Sequence, residues 1–181
     1  MITIGIDPSI NSTGVCVKTE KKTLYYIIAG KITKKALSFS HPRLHIYKYD
    51  KVDYKDLEYS EKEYLKAKNI SSILEYLDEI IHKHKKDVLV RMEGISYGSR
   101  GSAALVDLAG LNFCIRNYLI SKNIPFEIVS PMTLKKASTG NANAEKEEMI
   151  YMWKKLDPEM EDITSIKIDD LADAFFLTRL D

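Results

Sequence analysis

The sequence predicts an α/β fold. Its centre is a mixed five-stranded sheet, an antiparallel meander of the first three strands followed by parallel strands, with helices on both faces. Three observations carry this. Residues 2–6, 13–18 and 24–32 are strand-like runs joined by links too short for a helix, which makes them antiparallel neighbours. Residues 87–93 and 125–130 are strand-like too, each preceded by a long helical pattern, and a helical crossover returns the chain parallel. Between them, residues 103–122 are apolar on more than one side, so that helix needs cover on two sides.

The first strand ends in "GIDPSINSTG", where an apolar run stops at Asp7, turns through Pro8 to Asn11 and restarts at Thr13-Gly14. The next hairpin turns at Glu20-Lys21-Lys22. Residues 61–85 form a long helix, for which Ser60 and Glu63 fit a capping box. Tyr64, Ala67, Ile70, Leu74, Leu77 and Ile81 recur at three and four residues as one buried stripe. The cations from His82 to Lys86 suit its negative C-terminal end. The fourth strand, DVLVRME, ends at Glu93, and a Gly/Ser loop from Gly94 to Ser102 leads into the apolar helix. A second copy of the chain covering that helix predicts a homodimer. PFEIVS is the fifth strand. Helices over 144–156 and 166–180 close the chain, with Asn143 and Ser165 as caps.

The 181 residues suffice for a single domain over 1–181, with a long insertion at about 33–60. In the insertion, residues 44–49 alternate enough for a strand. Tyr47, Tyr49, Tyr54 and Tyr59 among lysines could stack on bases, but Asp50, Asp53, Asp56 and Glu58 cancel the charge, so a structural cover of the sheet edge is the expected role. A hydrophobic content of 45% with 29% charged residues is that of a globular protein. No uninterrupted apolar run reaches the roughly 18–20 residues of a membrane span, and no signal-peptide pattern opens the chain, so a cytoplasmic protein without membrane association is expected. Cys16 and Cys114 are unclustered, which predicts two buried thiols.

The formal net charge of +1 advertises no nucleic acid, but its distribution is uneven. Lys135 and Lys136 make one segment cationic. Asp157, Glu159, Glu161, Asp162, Asp169, Asp170 and Asp173 make another acidic against Lys167, and its first part, Asp157 to Asp162, reads as solvated. Three places put acids where charge is unfavourable: Asp7 and Glu93 at strand ends, and Asp169, Asp170 and Asp173 in an otherwise apolar helix. Unpaired buried carboxylates need partners, and a hard divalent cation such as Mg²⁺ is one that oxygen ligands favour. On a helix, residues three apart sit about 60° apart and residues four apart about 40°. Asp170/Asp173 and Asp169/Asp173 can therefore each face one site.

These residues resemble the RuvC-type Holliday junction resolvases of the RNase H-like superfamily. That family opens with GIDPG and then T-G, where this chain has Gly5-Ile6-Asp7-Pro8-Ser9 and Thr13-Gly14. Its strand ending in I-E corresponds to Met92-Glu93. Its lysine followed by G-x-G-x-A-E-K corresponds to Lys135 and then Gly140 to Lys146. Its D-A-A-D-A corresponds to Asp170-Leu171-Ala172-Asp173-Ala174. The motifs occur in order over nearly the whole chain. Ser9 and Asn143 stand where the family has glycine.

The resemblance implies an RNase H-like fold, a homodimer, and metal-dependent paired hydrolysis of four-way junctions, extending to forks and flaps. Asp7, Glu93, Asp170 and Asp173 would be the metal ligands, holding two Mg²⁺ per site with Mn²⁺ as a substitute. Lys146 would be catalytic beside them. DNA contacts would come from Lys135, Lys136, Lys146, Tyr97 and Arg100, with Tyr97 as the aromatic wedge after the catalytic glutamate. The insertion and the Lys/Ile/Tyr/Asn-rich composition suggest a bacteriophage member. Two other classes compete: a branched-DNA-binding protein that does not cut, against which four intact ligands speak, and an actin-like ATPase or sugar kinase, which needs two such domains.

Overall fold

The structure is a computed structural model that describes residues 1–33, 40–50, 54–84, 87–95, 102–163 and 167–180. Strands β1 (Ile2–Asp7), β2 (Ser12–Lys18), β3 (Thr23–Ala29), β4 (Leu44–Lys48), β5 (Val88–Glu93) and β6 (Phe126–Val129) form one sheet in the order β4-β3-β2-β1-β5-β6. The β1/β2 and β2/β3 pairs are antiparallel; β1/β5, β5/β6 and β3/β4 are parallel. The sheet thus has six strands, one more than the sequence predicts. The extra strand, β4, comes from the insertion and extends the sheet beyond β3.

Alternation along the strands sends successive side chains to opposite faces. Ile4, Ile6, Val15, Val17, Ile28, Val90 and Met92 pack under α1 (Tyr59–His82) and α2 (Ser102–Ser121), meeting Ile73, Leu77, Ile80, Leu111, Ile115 and Leu119. On the other face Cys16, Tyr25 and Ile27 meet three helices: α3 (Pro131–Thr139), α4 (Lys146–Leu156) and α5 (Ile168–Leu177). A short 3-10 turn, Pro158–Met160, follows α4.

Several local expectations are corrected. The α1 cap is Glu58, whose N–H donates to Glu61 at 3.0 Å, and not Ser60. The α1 stripe holds from Ile70 to Ile81, with Leu77 and Ile81 buried and Ile70 and Leu74 packed on the core, but Tyr64 and Ala67 are exposed, and Asn69, Ile73 and Ile80 are buried as well. The α4 cap is Glu145, whose N–H donates to Glu148 at 2.8 Å, and not Asn143. The last helix starts at Ile168, and Ser165 lies outside the described residues. Helix α3 was not anticipated, although Ser130 caps it through the Thr133 N–H and Pro131 stands in its first turn.

Asp157 is not solvated. It is 8% exposed, accepting from the Tyr25 hydroxyl at 2.6 Å and the Arg43 guanidinium at 2.5 Å, while the Trp153 indole donates to Tyr25. This network ties the start of β4 to the end of α4. The inserted tyrosines act as packing groups: Tyr47 stacks between Tyr26 and Tyr76, Tyr49 is buried with its hydroxyl on the Ile10 carbonyl, and Tyr54 meets the Asn69 amide. Tyr59 is exposed.

Helix α2 is half covered. Leu111, Asn112, Ile115 and Leu119 are buried, whereas Val106, Phe113 and Ile120, each seven residues apart, are exposed. Cys114, beside Phe113, is exposed as well, so only Cys16 is the buried thiol expected. By length and composition Ala103–Ser121 could cross a membrane, but Asp107, Asn112 and Arg116 interrupt it and one face packs on the sheet.

Candidate active site

Register brings the strand-end acids together. Ile6 pairs with Met92, so the next residues, Asp7 and Glu93, end adjacent parallel strands. Period-two alternation turns both toward the α5 face. Two glycines let α5 come close enough to add its own acids. A Cβ at Gly5 would stand 2.0 Å from the Ala174 carbonyl oxygen, and one at Gly14, across from Asp7, would stand 2.2 Å from that of Asp170. The motif glycines are therefore gaps that seat the helix backbone against the sheet.

The turn after Asp7 is held by Thr13, whose hydroxyl donates to the Ser9 carbonyl at 2.8 Å and accepts from the Ser9 N–H at 3.3 Å. Neither Ser9 nor Asn143 adopts a positive φ, so neither position requires glycine. Gly140 does, at φ 81°, where it ends α3.

Carboxylate oxygens of Asp7, Glu93 and Asp173 lie within 4.8 Å of one another. Asp170 lines the same cleft, a cavity of about 420 Å³. Among the described residues its Oδ2 is buried with no hydrogen-bond partner. Ser12 lies against Asp170 and favours its charged form, yet the Ser12 hydroxyl completes no hydrogen bond either. Burial, then the neighbouring charges of Glu93, Asp173 and Asp170, holds Asp7 well above the ordinary carboxylate range. Burial chiefly pushes Asp170 up to about 6, and burial with Glu93 and Asp170 pushes Asp173 up to about 7. Asp169 behaves oppositely. Burial opposes its charge, but the Lys146 ammonium 2.5 Å away holds it below its usual value. Carboxylates crowded and buried in this way fit a divalent cation, whose charge would offset their mutual repulsion.

Around the acids, Lys135 and Lys146 line the cleft. Lys136, one position on along α3, is exposed and does not line it. Tyr97 and Arg100 lie outside the described residues. Three lining residues were missed by sequence reasoning: Lys167 at the start of α5, Ser12, and Asn112, whose amide donates to the Glu93 carbonyl at 3.2 Å. Lys167 was visible as the lone cation of the acidic run; Asn112 and Ser12 carried no signal. A larger cavity of about 630 Å³ lies at the other end of β5, near Val88 and Tyr118. Its acids are already matched: Asp78 by Tyr118 and Lys122, and Asp87 by the N-terminal ammonium.

A family model described as the crossover junction endodeoxyribonuclease RuvC matches residues 50–178. The protein of that name from Rickettsia typhi is 27% identical over 178 residues, covering 98% of this chain and 94% of its own. The one from Nitratiruptor sp. is 31% identical over 101 residues, 56% of this chain and 63% of its own. Among solved structures, Thermus thermophilus RuvC in complex with a Holliday junction substrate superposes with a TM-score of 0.59 at 18% identity, over 98% of this chain and 90% of that one. The yeast mitochondrial Holliday junction resolvase gives 0.54 at 16% identity, over 97% and 75%. At these identities the structural likeness establishes the fold.

Proposed function

The chain belongs to the RuvC family of crossover junction endodeoxyribonucleases, and on that premise we propose that it resolves four-way DNA junctions by hydrolysing paired phosphodiester bonds, with forks and flaps as further substrates. The observation that carries this reading is the cleft in which Asp7, Glu93 and Asp173 converge beside Asp170, rimmed by lysines. Four acids crowded into one buried cleft are arranged to attract metal, and the lysines are arranged to attract a polyanion.

In this reading Asp7, Glu93, Asp170 and Asp173 hold Mg²⁺, two ions per site, with Mn²⁺ able to substitute. The bound ions supply Lewis acidity toward the attacking water and the leaving 3′-oxygen. Lys135 and Lys146 anchor the phosphate at the cleft rim and offset charge that develops on it. Tyr97 and Arg100 are proposed as junction contacts from the loop after Glu93, and Lys136 as a contact outside the cleft. Residues 1–181 act as one nuclease domain carrying the 33–60 insertion, working on DNA in the cytoplasm.

The exposed apolar row Val106, Phe113 and Ile120 on α2 suits a second copy of the chain. A two-fold dimer would present two equal sites to opposite strands. The test uses purified protein with synthetic four-way, forked and linear DNA, with and without Mg²⁺. Symmetric nicks in the junction that need the metal and vanish in Asp7→Asn, with junction binding retained, are expected. Metal-independent cutting, or undiminished cutting by Asp7→Asn, would refute this site. Binding by the wild type without any cleavage would favour the non-cutting class.

A further inference from the structure

Three acids stand in one turn of α5, and the cleft uses them differently. Asp170 and Asp173 are about 60° apart around the helix and face the strand-end carboxylates. Asp169 is about 100° from Asp170 and meets the first residue of α4 instead. Its Oδ2 lies 2.5 Å from Lys146 Nζ, and its side chain is 23% exposed against 69% for the lysine. The converging carboxylate oxygens belong to Asp7, Glu93 and Asp173; Asp169 and Asp170 both lie outside that triad, and what separates them is that Asp169 pairs with Lys146. We propose that Asp169 is a positioning residue that fixes the Lys146 ammonium at the cleft mouth for the scissile phosphate, and that it is not a metal ligand.

The proposal rests on the nuclease reading above. It follows from what the two groups can do. A lysine ammonium has three N–H donors and no acceptor. One donor on Asp169 leaves two for phosphate oxygens. The long stem of an exposed lysine has wide rotamer freedom, and a fixed carboxylate at its tip removes much of it before DNA arrives. With its charge balanced by Lys146, Asp169 also has less to gain from a divalent ion than Asp170, whose Oδ2 has no hydrogen-bond partner among the described residues.

The experiment compares wild type, Asp169→Ala, Lys146→Ala and the double variant. Two readouts are taken: single-turnover cleavage of a four-way junction at saturating Mg²⁺, and Mn²⁺ affinity without DNA by calorimetry. If Asp169 acts through Lys146, Asp169→Ala slows cleavage about tenfold and leaves Mn²⁺ affinity within about twofold, because it neither binds the metal nor orients a ligand, whereas loss of a group that orients a ligand lowers affinity by about 10–100-fold. The double variant then cuts no more slowly than Lys146→Ala alone. Asp169→Asn, which keeps an oxygen acceptor, falls between. Retained Mn²⁺ affinity also reports a folded protein. A tenfold or larger loss of Mn²⁺ affinity in Asp169→Ala, or multiplicative losses in the double variant, overturns the proposal while a cutting wild type upholds the nuclease reading. A wild type that neither binds Mn²⁺ nor cuts overturns both.

Discussion

Asp170→Asn should stabilise the metal-free protein at pH 8 and weaken it once metal is added. In the folded protein Asp170 titrates at about 6, against an ordinary 3.8, because burial penalises its charge. The folded state therefore holds its proton more tightly than the unfolded chain does. Stability from this group is complete below about pH 3.8 and is lost as pH rises through about 6. The rise amounts to about 3 kcal/mol, and cleft water and coupling to Asp173 leave about 2 kcal/mol. Replacing the carboxylate by an amide of the same shape removes that penalty, so melting in EDTA at pH 8 should rise by about 4–8 °C. At pH 5 the gain should shrink. Saturating Mg²⁺ should stabilise wild type more than the variant, since binding to the folded state alone adds stability. A variant less stable than wild type in EDTA at pH 8 would show that Asp170 is already satisfied, and the argument for a cation site there would fail.

Gly14→Ala should lower stability by about 3 kcal/mol or more and abolish cleavage, read by melting and nicking assays, because its Cβ would stand 2.2 Å from the Asp170 carbonyl oxygen. Asp157→Ala leaves Arg43 with Glu159 alone and the Tyr25 hydroxyl without its acceptor, and denaturant unfolding should show a loss of about 2 kcal/mol. Phe113→Glu should turn a dimer into a monomer in sedimentation velocity with its melting temperature little changed, as the ring is 60% exposed; a variant that sediments as wild type would refute the α2 interface. Junction affinity should fall linearly with log salt, and Lys135→Ala should reduce that slope by about one as a phosphate contact.

What could be read from the sequence was what repeats locally. The meander, the crossovers and the parallel placement of the fifth-strand segment all follow from alternation and helical spacing, and the structure contains each. Errors arose where partners distant in sequence decide. Asp157 looks like any member of an acidic run, and only Arg43 and Tyr25, more than a hundred residues away, make it a buried ion. The α1 stripe held from Ile70 to Ile81, but Tyr64 and Ala67 fit the same period and are exposed. Residues 44–49 alternated, but whether they would join β3 or lie over the edge depended on free backbone groups that no local pattern reveals.

For the site, strand-end position identified Asp7 and Glu93, whereas the choice among the three acids of α5 could not be made from helix geometry alone. The deciding physical difference is what each finds opposite it. Asp169 finds Lys146, and its carboxylate stays readily charged. Asp170 and Asp173 find burial and other acids, and both resist ionisation until about pH 6 and 7. Both arrangements depend on Gly5 and Gly14, because the same close approach of α5 that crowds Asp173 against Glu93 brings Asp169 beneath the start of α4. A glycine pattern visible in the first fourteen residues thus sets the electrostatics of a helix more than a hundred and fifty residues later. The motif and the cleft acids are one packing solution, which is why neither half could be read without the other.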